Sequence, residues 1–259
     1  MNAPRDGIRI VILGDSIAAG LGVKGACYGD LISEVFIRAG KSVELRNLAH
    51  TGFQISDSLL LLPEVKTFAP DFVIIAHGIT EAIIRPVPSS MRFIPGRWRQ
   101  LGWLDPRPFF SRRLWKRIYH QTESSLRWRI KVHLIKTYGG FTLTSADEFQ
   151  HILSETVEML LQQTSANIIL LTQTGVDERF YPGSLSSLNL YRQCMENIVS
   201  GSRTEKVRLC NVTHLLREWS DYFEDHFHPN VAGHAKIAEA IYAILPTKTT
   251  ESMIITCSN

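Results

Sequence analysis

Ser16 follows closely on the apolar run Ile8-Arg9-Ile10-Val11-Ile12-Leu13, and Asp225 precedes His228 by three residues, just ahead of a helical run from Val231 to Ile244. A serine hydroxyl is a poor nucleophile until a neighbouring base takes its proton, and an imidazole can do so near neutral pH. A carboxylate three residues before a histidine, at the mouth of a helix, reaches Nδ1 of the ring while Nε2 faces the serine. Ser16, His228 and Asp225 thus supply the nucleophile, base and orienting acid of an acyl-transfer site. His226 and His234 lack this relation to Asp225. Together with Asp225 and His228 they could instead form a metal site, but no further ligand cluster accompanies them and no metal is expected. Gly14, Gly20 and Gly22 do not have the spacing of a dinucleotide or phosphate loop. No cofactor is expected.

The elements that must position these residues follow from periodicity. Strand-like runs at Ile8–Leu13, Val43–Asn47, Phe72–His77, Ile168–Thr172 and Val207–Val212 alternate with helical patterns at Tyr28–Ala39, Ile55–Leu62, Asp147–Gln163, Leu188–Ser200 and Val231–Ile244. Such alternation predicts an α/β fold, a flavodoxin-like three-layer sandwich around a five-stranded parallel sheet of order 2-1-3-4-5. Ser16 then stands at the carboxyl end of the first strand, beside the switch point where open sheets bind ligands. Ser145-Ala146-Asp147-Glu148 reads as a capping box that starts a helix near residue 146.

Four sequence blocks lie in order along the chain: Gly14-Asp15-Ser16, Asn47-Leu48-Ala49-His50-Thr51-Gly52, Gly78-Ile79-Thr80-Glu81, and Asp225 to His228. In that order the chain resembles the SGNH (GDSL-type) hydrolase family. The resemblance implies a serine esterase whose oxyanion hole is formed by the backbone N–H of Ser16, the backbone N–H of Gly52 and the side chain of Thr80. Thr80 and Glu81 depart from the family pattern, which usually has asparagine and aspartate there. A threonine hydroxyl can donate one hydrogen bond but reaches less far than an asparagine amide. The resemblance implies hydrolysis of a carboxylic ester, with an acetyl-like group on a sugar or small metabolite as leading substrate class. An acyltransferase using the same site, and a catalytically silent binding protein of the same fold, are the alternatives.

Between Arg85 and Lys136 the chain carries thirteen basic residues against Asp105 and Glu123, although its whole net charge is only +3. Trp98, Trp103, Trp115 and Trp128 lie there too. A structureless loop of this length is improbable inside a compact domain, so the stretch reads as an inserted basic, Trp-rich cap at about 84–144. Its proline-rich first half is expected to be irregular and Ser111 to Lys136 helical. The domain spans 1–246, with a loose tail at 247–259. The charge reads as a solvated face, as an electropositive lid for an anionic substrate, or as a patch for a membrane surface; nothing resembling a nucleic-acid motif accompanies it. Hydrophobic residues make up 44% of the chain, enough for a sizeable core. No apolar run is long enough to span a bilayer, and Cys27, Cys194, Cys210 and Cys257 form no Cys-x-x-Cys pair. A cytoplasmic protein is expected.

Overall fold

The structure is a computed structural model that describes residues 7–92, 94–99, 113–217 and 219–245. Trp103, Asp105, Pro106, Arg107, Pro108, Arg112 and the tail after Leu245 lie outside the described residues. Five parallel strands, β1 (Gly7–Gly14), β2 (Ser42–Asn47), β3 (Phe72–Ala76), β6 (Asn167–Leu171) and β7 (Val207–Cys210), form one sheet in the order β2-β1-β3-β6-β7. Two shorter strands, β4 (Arg85–Pro86) and β5 (Gly140–Phe141), form a separate pair, and without them the order is the 2-1-3-4-5 expected. Runs such as Val11-Ile12-Leu13 and Val73-Ile74-Ile75 are almost wholly buried. A parallel sheet covered on both faces calls for such continuous apolar strands rather than alternating ones.

Helices flank the sheet. α1 (Tyr28–Arg38) packs on α8 (Val231–Ile244), while α6 (Ala146–Gln163) packs on α7 (Ser184–Gly201) and on α2 (Ile55–Leu59) and α3 (Leu62–Phe68). The Glu148 amide donates to Ser145 Oγ at 3.2 Å, the cap that starts α6. The single helix expected over Ile55–Leu62 is instead two, because Pro63 opens a new first turn, where its missing N–H costs nothing. A short helix, α4 (Ile79–Ala82), follows β3 and was not legible in the pattern.

The stretch expected to form a cap begins at β4 (Arg85–Pro86), which pairs antiparallel with β5 (Gly140–Phe141). Between them stands α5 (Leu114–Tyr138), two residues further along at its C-terminal end than expected. Among the described residues of this stretch, two basic side chains are not on the surface: Arg85 is 6% and Lys131 1% exposed. Burial pushes Arg85 down to about 10 and Lys131 down to about 7. A solvated basic face therefore does not include these two, and the Arg85 guanidinium instead donates to the Ile83 carbonyl at 2.7 Å. The tryptophans also divide. Trp98 is buried and donates to Glu123 Oε1 at 2.7 Å, Trp128 is half-buried, and Trp115 is exposed.

Candidate active site

β1 delivers its last residues to the carboxyl edge of the sheet, where the chain turns without forming a helix. Gly14 is required there, since a Cβ would lie 2.5 Å from Ala18 Cβ and 2.7 Å from the Ala76 carbonyl oxygen. The turn closes through Ala19 N–H to the Asp15 carbonyl (2.9 Å) and Leu21 N–H to the Ser16 carbonyl (3.0 Å). Ser16 is thereby presented to the loop that precedes α8.

That loop is built from the opposite end of the chain. Asn230 caps α8, its Oδ1 accepting from the amides of Ala232 and Gly233, while its Nδ2 donates to the carbonyls of Ser220 and Tyr222. The Asp225 carboxylate closes a tight turn: Oδ1 accepts from the amides of Phe227 and His228, each at 3.0 Å. Its Oδ2 lies 2.6 Å from Nδ1 of His228, and Nε2 of the same ring lies 2.8 Å from Ser16 Oγ. Burial alone would raise the Asp225 pKa, but the hydrogen bonds and charge of His228, with the two amides, hold it below the usual carboxylate value. An ionised Asp225 fixes the ring with Nδ1 protonated and leaves Nε2 as acceptor for the serine proton. Ser16, Asp225 and His228, read from distant parts of the chain, stand within one hydrogen-bonded line.

The loop after β2 returns beside β1, tied by His50 N–H to the Gly14 carbonyl at 3.2 Å. Gly52 has φ +83, a conformation L side chains rarely adopt. Among the described residues neither the Ser16 nor the Gly52 amide has a hydrogen-bond acceptor. Thr80 behaves differently: its hydroxyl donates to Oδ2 of Asp15 at 3.1 Å, so its single proton is committed to a carboxylate. Asp15 is buried, and burial raises its pKa despite the bonds it accepts from Ile17 N–H and Thr80.

Glu81, wholly buried, accepts from Ile55 N–H (2.7 Å) and Gly78 N–H (2.9 Å), joining the start of α2 to the end of β3. Burial first, and the charge of Asp15 second, raise its pKa to about 7. His77 lies 3.9 Å from Glu81, but burial lowers the imidazole to about 3, so the contact is not an ion pair. The parts played by Asp15 and Glu81 escaped sequence reasoning, although both sit inside the quoted blocks. His234 accepts from Tyr28 N–H and stacks on the Tyr28 ring, and His226 stacks on Phe180. Among the described residues no group of three or more His, Cys, Asp or Glu could hold a metal ion.

The sequence matches the GDSL-like lipase/acylhydrolase family over residues 12–236. The chain belongs to that family. Membership makes it a serine esterase, and the match takes in both ends of the hydrogen-bonded line. Similar solved structures include an α/β hydrolase from the metagenome of Lake Arreo, Spain (20% identity, TM-score 0.59, covering 92% of this chain and 94% of that one). A catalytic mutant of an acetylxylan esterase from Geobacillus stearothermophilus is similar at 16% identity and TM-score 0.56, over 92% and 94% of the two chains. A G-D-S-L lipolytic protein from Veillonella parvula is similar at 11% identity and TM-score 0.57, over 92% and 98%. At these identities the likeness shows the fold. A search of curated proteins finds no significant match. Among the described residues no helix is long and apolar enough to cross a membrane.

Proposed function

We propose that this enzyme cleaves its ester through an acyl-enzyme on Ser16. The observation that carries the reading is the line from Ser16 Oγ to His228 Nε2 at 2.8 Å and from His228 Nδ1 to Asp225 at 2.6 Å. His228 takes the hydroxyl proton as Ser16 Oγ bonds to the acyl carbon, and the carbonyl electrons move onto oxygen. The unpartnered amides of Ser16 and Gly52 are the donors for that oxyanion. Thr80 acts behind them through Asp15. His228 then gives its proton to the leaving alcohol, and water, deprotonated by the same ring, releases the acid and restores the serine.

The substrate we propose is a small one, an acetyl-like acyl group on a sugar or other metabolite. Support comes from the described likeness to an acetylxylan esterase. A fluorophosphonate probe tests the nucleophile and a series of acyl chain lengths tests the substrate. Labelling lost in Ser16→Ala, with turnover highest on acetyl esters, is the expected result. No labelling of the unaltered protein would leave a silent binding protein, and turnover only with an added alcohol would make it an acyltransferase.

The outer face of α5 suggests a partner. Leu114, Trp115, Ile118 and Tyr119 are 66%, 84%, 45% and 59% exposed, beside the exposed Arg113, Lys116 and Arg129. Apolar rings among cations suit an anionic lipid surface, and we assign peripheral contact to this face. The three described cysteines are free and buried, as suits a reducing compartment, and the proposed location is the cytoplasm.

A further inference from the structure

His226 sits between the two residues that orient and carry the base, and its backbone is unusual. Among the described residues only Ala69 and His226 are non-glycine residues with positive φ, +51 and +54. This left-handed geometry lets the amides of Phe227 and His228 both fold back onto Asp225 Oδ1. A histidine adopts it only where its surroundings hold it there.

Those surroundings come from outside the loop. The His226 ring stacks on Phe180 at a centroid distance of 4.3 Å and 23° between planes, and meets the Trp219 edge at 4.5 Å. Phe180 is in turn held by the inserted helix: Trp128 Nε1–H donates to the Phe180 carbonyl at 2.9 Å, and the two rings lie 4.7 Å apart. A second tie runs from Arg117 to Glu224 at 2.9 Å, one residue before Asp225. Both ties start on α5, about three turns apart on one helix.

We propose that α5 is a positioning brace for the catalytic base. Through Trp128, Phe180 and His226 it fixes the turn that sets Asp225 and His228 at hydrogen-bonding distance from Ser16. The insertion thereby acts on the rate of the chemical step as well as on what approaches the site. This inference rests on the Ser-His-Asp reading. None of Trp128, Phe180 and Arg117 belongs to the reacting line, so their effect is through His226 and Glu224.

The test compares Trp128→Ala, Trp128→Phe and Arg117→Gln with the unaltered protein, using p-nitrophenyl acetate and a fluorophosphonate probe whose end-point counts working sites. Misplacement of a base by a fraction of an ångström predicts that Trp128→Ala lowers kcat per counted site about tenfold or more, with KM nearly unchanged. Labelling of Ser16 slows in proportion. Trp128→Phe, which keeps the ring stack, recovers most of kcat, and Arg117→Gln, which loses one exposed pair, has a smaller effect. If Trp128→Ala does not fold, Phe180→Leu removes the same stack from the other side and is read in the same way. Counted sites that turn over at the unaltered rate, with only a lower unfolding temperature, overturn the brace. Ser16→Ala separates the two readings: activity surviving in it sinks the Ser-His-Asp site itself, whereas an inert Ser16→Ala beside an unaffected Trp128→Ala sinks only the brace.

Discussion

The Thr80 hydroxyl donates to Oδ2 of Asp15 across 3.1 Å, so the block after β3 is bolted to the block after β1 directly behind Ser16. Removing that donor leaves a buried carboxylate oxygen short of a partner, which costs about 1–3 kcal/mol. Thr80→Val should therefore lower stability in urea by this order and reduce kcat by less than the hundredfold or so typical of a lost oxyanion donor. Thr80→Ser, which keeps the hydroxyl, should restore both. A loss of rate with no loss of stability would instead put Thr80 in the oxyanion hole.

Ser16→Ala and His228→Ala should each abolish ester hydrolysis while the far-ultraviolet circular dichroism stays native. Asp225→Asn should leave a measurable residue, because a misoriented base is still a base. Steady-state kinetics on a short-chain ester checks all three. EDTA should have no effect; activity lost to it and restored by zinc would move the chemistry to the histidines around Asp225.

Mild acidification should draw opposing contributions to stability from buried groups: His77 and His234 lower it, whereas Glu81 and Asp15, both raised by burial, offset part of that loss. Burial lowers His77 to about 3 and His234 to about 4, so between these values and 6.5 the unfolded chain binds protons that the folded one refuses. Glu81, raised to about 7, works the other way, taking its proton in the folded state first as pH drops from 7 to 4.5. From His77, His234 and Glu81 the net expectation between pH 6.5 and 4.5 is one proton's worth of loss, about 1.4 kcal/mol per pH unit, doubling only between pH 4.5 and 4 and returning to one proton below 4, where His234 is protonated in the folded state too. Urea unfolding at a series of pH values measures the slope, and His77→Gln should make it shallower by one proton.

Salt should distinguish a steering role for the basic residues around α5 from a role at a lipid surface. If its charge steers an anionic substrate, kcat/KM for a negatively charged ester falls as the Debye length shrinks from about 10 Å to about 3 Å. A neutral ester of equal size should respond little. Sedimentation with anionic vesicles at low salt, lost at high salt and in Trp115→Ser, supports the lipid surface. Neither response in the unaltered protein, together with kinetics unchanged when Arg113, Lys116 and Arg117 are neutralised, would reduce the charge to a solvated face.

The sheet and the hydrogen-bonded line of Ser16, His228 and Asp225 were legible in the sequence because both are written in local pattern: apolar strands of fixed order, a serine at the end of one, and a carboxylate spaced for one histidine ring. What escaped was decided by distant contact. Nothing near Thr80 in sequence reveals that its partner is Asp15, and nothing around Lys131 reveals that its ammonium is taken into the interior. The positive φ of His226 answers to Phe180 and Trp219, each outside its own turn. The break between α2 and α3 is signalled by Pro63, although the apolar spacing continues across it.

Arg85 pairs with Phe141 and Pro86 with Gly140, so the long excursion between them departs and returns at neighbouring points. Closing a longer or shorter loop on such a root changes the chain entropy little, about 0.6 kcal/mol for each doubling of length. Loop length within the excursion can therefore change at little entropic cost, provided that Val132 and Ile135 stay in the core and Trp128 stays on Phe180. Evolution has here a stretch whose outer length is free to drift while its helix stays anchored to the sheet and to the turn beside the site.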